Sequence, residues 1–346
     1  MTRSPLEIPP HFRADRVADV WRVPYTQCAE DAAQWATEHD LGPAEGDKRK
    51  IALLLVDCQN TFCIPGFELF VGGRSGQGAV DDNVRLCEFI YRNLGAISQI
   101  VVTLDTHRAM QIFHPIFWID PSGKHPVGGQ TVITLDDLQA EAWRVNPAVA
   151  GGLEPYAYEY LSRHAYHYVK TLTAGGKYPL LIWPYHAMLG GIGHALVSAV
   201  DEAVFFHSIA RRRQTRFEIK GDHPLTEHYS VLGAEVMTGP DGHAIARKNS
   251  ALIDWLLDFD AVIIAGQAQS HCVAWTLHDL LAEIEARDRA LAEKVFLLED
   301  CTSPVVIPDA VDFTDQANEA FDQFEGAGMR VVKSTDPMAG WPGLNP

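Results

Sequence analysis

Residues 261–281 read AVIIAGQAQSHCVAWTLHDLL. The first five, Ala261-Val262-Ile263-Ile264-Ala265, form an apolar, β-branched run of the kind found in a strand buried on both faces of a parallel sheet. Gly266 breaks the run. From near Cys272 the spacing becomes helical, with Val273, Thr276, Leu277, Leu280 and Leu281 on one broad face. A cysteine therefore stands where a buried strand turns into a helix. The first N–H groups of a helix lack intrahelical partners, and the dipole there favours an anion. Such a setting lowers a thiol's pKa and can hold the oxyanion formed when a thiolate attacks a carbonyl. An inert buried cysteine is the commoner fate of this residue type. The assignment of a nucleophile thus rests on what the rest of the chain brings to the same place.

Three other runs that read as strands lead to or end on a polar residue. Residues 51–56 (IALLLV) lead to Asp57, residues 99–104 (QIVVTL) lead to Asp105, and residues 217–220 (FEIK) end on Lys220. Residues 180–183 (LLIW) read as a further short strand leading to Pro184-Tyr185-His186, and residues 295–298 and 329–332 as two more. Helical patterns lie between them. One carries Val84, Cys87, Tyr91 and Leu94 behind a cap at Asp81 or Asp82. Others span residues 154–172, about 193–210, the segment capped by Asn249 and ending at Leu257, and 314–326. This alternation predicts an α/β fold, a doubly wound, Rossmann-like, mainly parallel six-stranded sheet with helices on both faces. Ligands bind such sheets at the carboxyl ends of the strands. The polar residues expected there are Asp57, Asp105, His186, Lys220 and Cys272. Residues 1–48 read as an N-terminal arm laid over the domain or over a neighbouring subunit. Residues 49–346 read as a single domain with an insertion at about 110–180, rich in aromatics, proline and glycine.

The 346 residues carry a formal net charge of −17, which argues against nucleic acid and anionic membrane as partners. The local run Arg211-Arg212-Arg213, with Arg216, reads as a solvated face. Six cysteines without a C-x-x-C pair indicate neither a disulfide framework nor a structural zinc knot. No signal peptide and no membrane-spanning run is visible, so a cytoplasmic protein is expected.

Asp57, Lys220 and Cys272 form a chemically sensible set. A carboxylate beside a thiol can take its proton, and a lysine favours both the thiolate and the charged carboxylate. Asp105-x-His107, joined by His186 from another strand end, suits Zn²⁺, Fe²⁺ or Mn²⁺. His114 is a fourth metal-ligand candidate. Gly190-Gly191-Ile192-Gly193 lacks the spacing of a phosphate loop and reads as a tight turn.

These pieces resemble the isochorismatase-like cysteine hydrolases, and within them the nicotinamidase-like amidases. Asp57-Cys58-Gln59-Asn60-Thr61-Phe62 resembles D-x-Q-x-x-F, Leu104-Asp105-Thr106-His107 the metal motif, and Trp183-Pro184-Tyr185-His186 the W-P-x-H motif. Lys220-Gly221 follows at about the family's distance, and Gly266–Val273 resembles G-x-A-x-x-x-C-V. The resemblance spans roughly residues 50–335. It implies a catalytic set of Asp57, Lys220 and Cys272, and an oxyanion hole from the N–H groups of Ala268 and Cys272, with a cis peptide at Ala268-Gln269. It implies one divalent metal ion, zinc first, on Asp105, His107 and His186, and ring-packing residues Phe62 and Trp183. The chain departs from the family at Ala187, where a cysteine is common, and in the late position of His114.

The expected activity is hydrolysis of a small planar carboxamide, nicotinamide foremost, to the acid and ammonia through a thioester, by a homo-oligomer. The alternatives are another small amide, ureido or carbamoyl compound; a non-catalytic metal- or ligand-binding protein; and a hydrolase using metal-bound hydroxide. Phe117 and Trp118 follow the metal loop. Trp118 is therefore expected to join Phe62 and Trp183 at a narrow, buried pocket, lidded by part of the insertion.

Overall fold

The computed structural model describes residues 5–176, 178–307 and 311–344. Its centre is a six-stranded sheet of β1 (Ile51–Val56), β2 (Gln99–Asp105), β3 (Arg216–Lys220), β4 (Ala261–Gly266), β5 (Val295–Leu298) and β6 (Arg330–Val332). The spatial order is β6-β5-β4-β1-β2-β3, and every pairing is parallel. This is the doubly wound sheet expected from the sequence. The two central strands, β1 and β4, are buried along their whole length. That burial explains why both read as unbroken apolar runs with no alternation.

Side chains alternate between the faces. Leu53, Leu55, Ile100, Val102 and Ile263 pack on one side with the helices α2 (Gly78–Arg92) and α4 (Ser198–Ala210). Leu54, Val56, Val101, Val262 and Ile264 pack on the other with α5 (Ser250–Leu257), α6 (Ala274–Arg287) and α7 (Thr314–Gly326). The N-terminal segment lies on the first face. Its helix α1 (Tyr25–Glu38) packs on α4 through Cys28 and Ala32, and Ser198 Oγ holds both the N–H and the carbonyl of Trp21, each at 2.9 Å. Among the described residues no helix is long and apolar enough to cross a membrane.

Three local expectations change. Leu180–Leu181 is not part of the main sheet; it pairs antiparallel with Val132–Ile133 inside the insertion, because a two-residue strand is too short to add an edge. Helix α2 begins at Gly78, ahead of Asp81 and Asp82. Asp82 is no cap because its carboxylate is taken by Arg85 at 2.9 Å and by the Gln267 side chain at 2.8 Å. Phe117 and Trp118 pack in a third hydrophobic core with Leu161, Tyr168 and Val169 of α3 (Tyr158–Ala174), which Trp183, Leu225 and Val236 join from outside the insertion.

The chain runs outward from β1 through β2 to β3, then crosses back to β4 on the other side of β1. The strand order therefore switches direction between β1 and β4. Their carboxyl ends face a common crevice, where doubly wound sheets hold ligands.

Candidate active site

Asp57 follows β1 directly and is fully buried, with φ at 47°. Thr103 of β2 fixes it twice: its hydroxyl accepts the Asp57 N–H at 3.0 Å and donates to Asp57 Oδ1. Gln59, two residues on, uses its side-chain amide as a piece of strand. Its Oε1 accepts the Asp105 N–H and its Nε2 donates to the Asp105 carbonyl, both at 2.8 Å. That pairing aims Asp105 at the crevice. Lys220 ends β3 in register with Asp105.

The Lys220 ammonium joins these groups. Nζ lies 2.9 Å from Asp57 Oδ2, 3.1 Å from Asp105 Oδ1 and 3.5 Å from Cys272 Sγ, and it donates to the His228 carbonyl at 2.9 Å. All four side chains are buried to less than a tenth exposed. Burial alone would lower the lysine's pKa, but Asp105 and Asp57 together outweigh it and hold the ammonium well above its ordinary range. Burial raises the Asp57 carboxyl, opposed by Lys220 and by the Thr103 hydroxyl. Burial also acts to raise Asp105, but His107 and Lys220 outweigh it and keep that carboxylate ionised.

Cys272 sits in a single wide turn, Gln269–Val273, that runs straight into α6. The Val273 N–H reaches back five residues to the Ala268 carbonyl at 3.1 Å, the mark of a π-turn. Cys272 is thus the fourth residue of the helical segment, within the stretch whose N–H groups can face a ligand. The Ala268 N–H has no hydrogen-bond partner among the described residues. Two expectations need correction here. The cis bond joins Gln267 to Ala268, one residue earlier than expected. The reversal begins as soon as β4 ends, at Gly266, which has φ at 115° and lies so close to Val56 that any Cβ would strike its carbonyl oxygen. The thiol, moreover, is raised and not lowered. Burial pushes it well up, and the facing Asp57 and Asp105 add to that against the pull of Lys220. The resting sulfur is therefore a thiol, and its proton must leave as it attacks.

Beside this group lie three imidazoles. Ring-nitrogen atoms of His107, His114 and His186 lie within 4.8 Å of one another, and all three rings are buried. Each Nδ1 faces a backbone carbonyl: His186 for His107 at 3.2 Å, Ala109 for His114 at 3.2 Å, and Pro184 for His186 at 2.8 Å. A carbonyl on Nδ1 fixes the proton there and turns the Nε2 lone pair inward, as in metal-bound histidines. Burial keeps His114 near 4 and His186 well below its usual range, so both rings are neutral. The His114 Nε2 is buried without a hydrogen-bond partner. Asp105 borders the cluster, with Oδ1 3.1 Å from His107 Nε2 and Oδ2 3.8 Å from His186 Nε2. The donor set fits a divalent metal ion such as zinc. It includes His114, which the sequence reading left outside the ligand set.

A cavity of about 620 Å³ opens over Cys272. Phe62, Trp183, His271 and Tyr229 wall the part nearest the thiol, and Phe62 meets His186 edge-on at 5.7 Å. Trp183 Nε1 donates to Glu227 Oε1 at 3.1 Å, and so does the Tyr229 hydroxyl at 3.0 Å. The insertion contributes Phe113 and residues 128–130 to the wall. Trp118 does not reach the cavity. It is fully buried in the insertion's core, and its Nε1 donates to the Ile112 carbonyl. Phe117 is buried there too, so neither ring lines the cavity.

No family model and no curated protein sequence matches the chain. Solved structures do. Yeast nicotinamidase bound to the inhibitor nicotinaldehyde matches at 17% identity and a TM-score of 0.51, over 82% of this chain and 99% of the other. A second structure of yeast nicotinamidase matches at 18% identity and a TM-score of 0.50, over the same shares. An Acinetobacter baumanii nicotinamidase/pyrazinamidase matches at 18% identity and a TM-score of 0.48, over 84% of this chain and 99% of the other. The chain has the isochorismatase-like fold that the yeast nicotinamidase structures share.

Proposed function

We propose that the protein is a cysteine amidohydrolase acting on small carboxamides, with nicotinamide the first substrate to test. The observation that carries this reading is the position of Lys220 Nζ, in reach of both Asp57 and Cys272 at the crevice where the strand order switches. The nicotinamidase activity of the yeast protein with this fold supports the same class of reaction.

In the proposed reaction Asp57 takes the proton of Cys272 as the sulfur bonds to the amide carbon. The carbonyl electron pair moves to oxygen, where the N–H groups of Ala268 and Cys272 receive it. Collapse of that adduct breaks the C–N bond. The proton on Asp57 passes to the departing nitrogen, which leaves as ammonia, and a thioester remains. Water then attacks the thioester with Asp57 as base, releasing the acid and the thiol. The raised Asp57 carboxyl suits a group that must hold the thiol's proton from the attack until the C–N bond breaks. Lys220 stays charged throughout and balances whichever anion is present. Phe62 and Trp183 would stack a planar ring. A divalent ion, zinc, iron or manganese, would be held by His107, His114 and His186 beside Asp105. When bound it supplies a Lewis-acidic point that orients a ring nitrogen or a water. Residues 49–346 are taken as one catalytic domain with its insertion.

The test is ammonia release from a panel of planar carboxamides, with mass spectrometry of the quenched enzyme for an acyl adduct. Cys272→Ala should abolish turnover and the adduct while leaving folding and metal content intact. Activity that survives alkylation of Cys272 would transfer the chemistry to a metal-bound hydroxide and sink the proposal.

A further inference from the structure

The lining of the cavity over Cys272 is of two kinds. At the thiol end the polar side chains are committed to one another. Lys220 is held by Asp57, Asp105 and the His228 carbonyl, and the imidazole Nδ1 atoms of His107, His114 and His186 face carbonyls. The rest of the lining is mainly apolar: Phe67, Leu69, Phe70 and Val71, which follow Phe62 and return to it through the Val71 N–H and the Phe62 carbonyl at 2.8 Å, and Val305–Ile307. A single-ring carboxamide seated between Phe62 and Trp183 would leave much of this apolar chamber unfilled. Cavities of ~300–1,000 Å³ hold ligands of drug size, and the 620 Å³ here lies inside that span.

Charge narrows the occupant further. The described lining residues include no lysine or arginine, and Lys220, behind Asp105 and Cys272, is already matched by two carboxylates. The acids outside the thiol end are Glu68 and Glu227. Glu68 is exposed, with Oε2 accepting from the Thr61 hydroxyl at 3.0 Å. Glu227 is buried, with hydrogen bonds from Trp183, Tyr229 and Tyr168. Burial first, and then Glu235, push its carboxyl up to about 8, so it is mostly uncharged at neutral pH. A carboxylate entering this chamber would shed its water with no lysine or arginine among the described lining residues to meet it, beside two acidic side chains, one of them proton-bearing.

We propose, resting on the amidohydrolase reading above, that the substrate is an uncharged primary amide whose apolar body runs past the first ring to the Val305–Ile307 wall, and that amides bearing a carboxylate are refused.

Size and charge selection are tested by binding, separately from turnover. The full-length Cys272→Ala variant is titrated calorimetrically with three probes: nicotinamide, 3-benzylbenzamide, and the same two-ring amide with a carboxylate on its outer ring. Burial of the second ring should tighten binding about tenfold or more over nicotinamide. The carboxylate should weaken it about a hundredfold relative to its neutral parent. Leu69→Trp should shrink the two-ring advantage by filling the chamber, and Glu68→Arg should recover part of the carboxylate's loss. If Cys272→Ala is poorly folded, Cys272→Ser serves in its place. Equal affinity for one ring and two, or equal affinity for the neutral and the charged amide, overturns the inference. Wild-type turnover is then measured on the same probes. If the binding order holds but none is hydrolysed, the amidohydrolase reading fails while the selectivity of the chamber stands.

Discussion

Replacing Thr103 by valine keeps shape and removes one hydroxyl. In the structure that hydroxyl accepts the Asp57 N–H at 3.0 Å and donates to Asp57 Oδ1, and both residues are fully buried. Losing the acceptor leaves a buried amide unsatisfied, at about 1–3 kcal/mol, and losing the donor removes a hydrogen bond to a charged group, worth about 1.5–3 kcal/mol. The added methyl returns about 1 kcal/mol through burial. A net loss of about 1.5–5 kcal/mol is expected in urea unfolding, with an unchanged denaturant slope. The loss also has a pH signature. Asp57 has a raised pKa when folded, so it contributes most to stability below its unfolded value and loses that contribution as pH rises through the folded one. The hydroxyl opposes that rise, so Thr103→Val raises the folded value further, and the gap between wild type and variant should widen with pH. Catalysis should fall about tenfold through the displaced base, and Thr103→Ser should restore both properties. A Thr103→Val protein within about 0.5 kcal/mol of wild type, with unchanged turnover, would refute the role assigned to this contact.

Three other perturbations report on separate parts of the site. At Gly221, with φ at +88°, a Cβ would lie 2.6 Å from Asp105 Oδ1 and 3.0 Å from His107 Nε2, so Gly221→Ala should lower bound metal and activity together; full zinc content by elemental analysis would count against that. His114→Ala should release zinc at chelator concentrations the wild type survives, and an identical chelator titration would remove His114 from the ligand set. The Glu227 carboxyl, raised from 4.5 to about 8, stabilises the fold fully below about 4.5 and no longer above about 8. Glu227→Gln should therefore flatten the decline in Tm between those values, and parallel Tm–pH curves for the two proteins would show that the carboxyl does not titrate there.

The sheet was legible because a strand buried on both faces cannot alternate, and β1 and β4 show that in their sequences. The polar residues that stop these runs, Asp57, Asp105, Lys220 and Cys272, lie together for the same reason: strand ends on one side of a parallel sheet share one crevice. What escaped was anything set by register or by side-chain direction. Thr103 looks like one more β-branched strand residue until pairing of β1 with β2 brings it beside Asp57. His114 and Trp118 are four residues apart, yet one turns toward His107 and His186 and the other into the insertion's core. No periodicity in an irregular segment distinguishes them. The thiol's raised pKa was missed because a helix start was weighed without the burial that the fold imposes on Cys272, to which Asp57 and Asp105 add.

The way the insertion is tied in bears on exchange as well as on packing. The thiol, its carboxylate and its lysine hang from the strand ends or from the turns just past them, while the insertion lends the cavity Phe113 and residues 128–130, lends the imidazole cluster His114, and reaches Glu227 through the Tyr168 hydroxyl. That segment therefore carries part of the wall and one candidate metal ligand together, and a graft of residues 110–180 between proteins of this fold moves both at once.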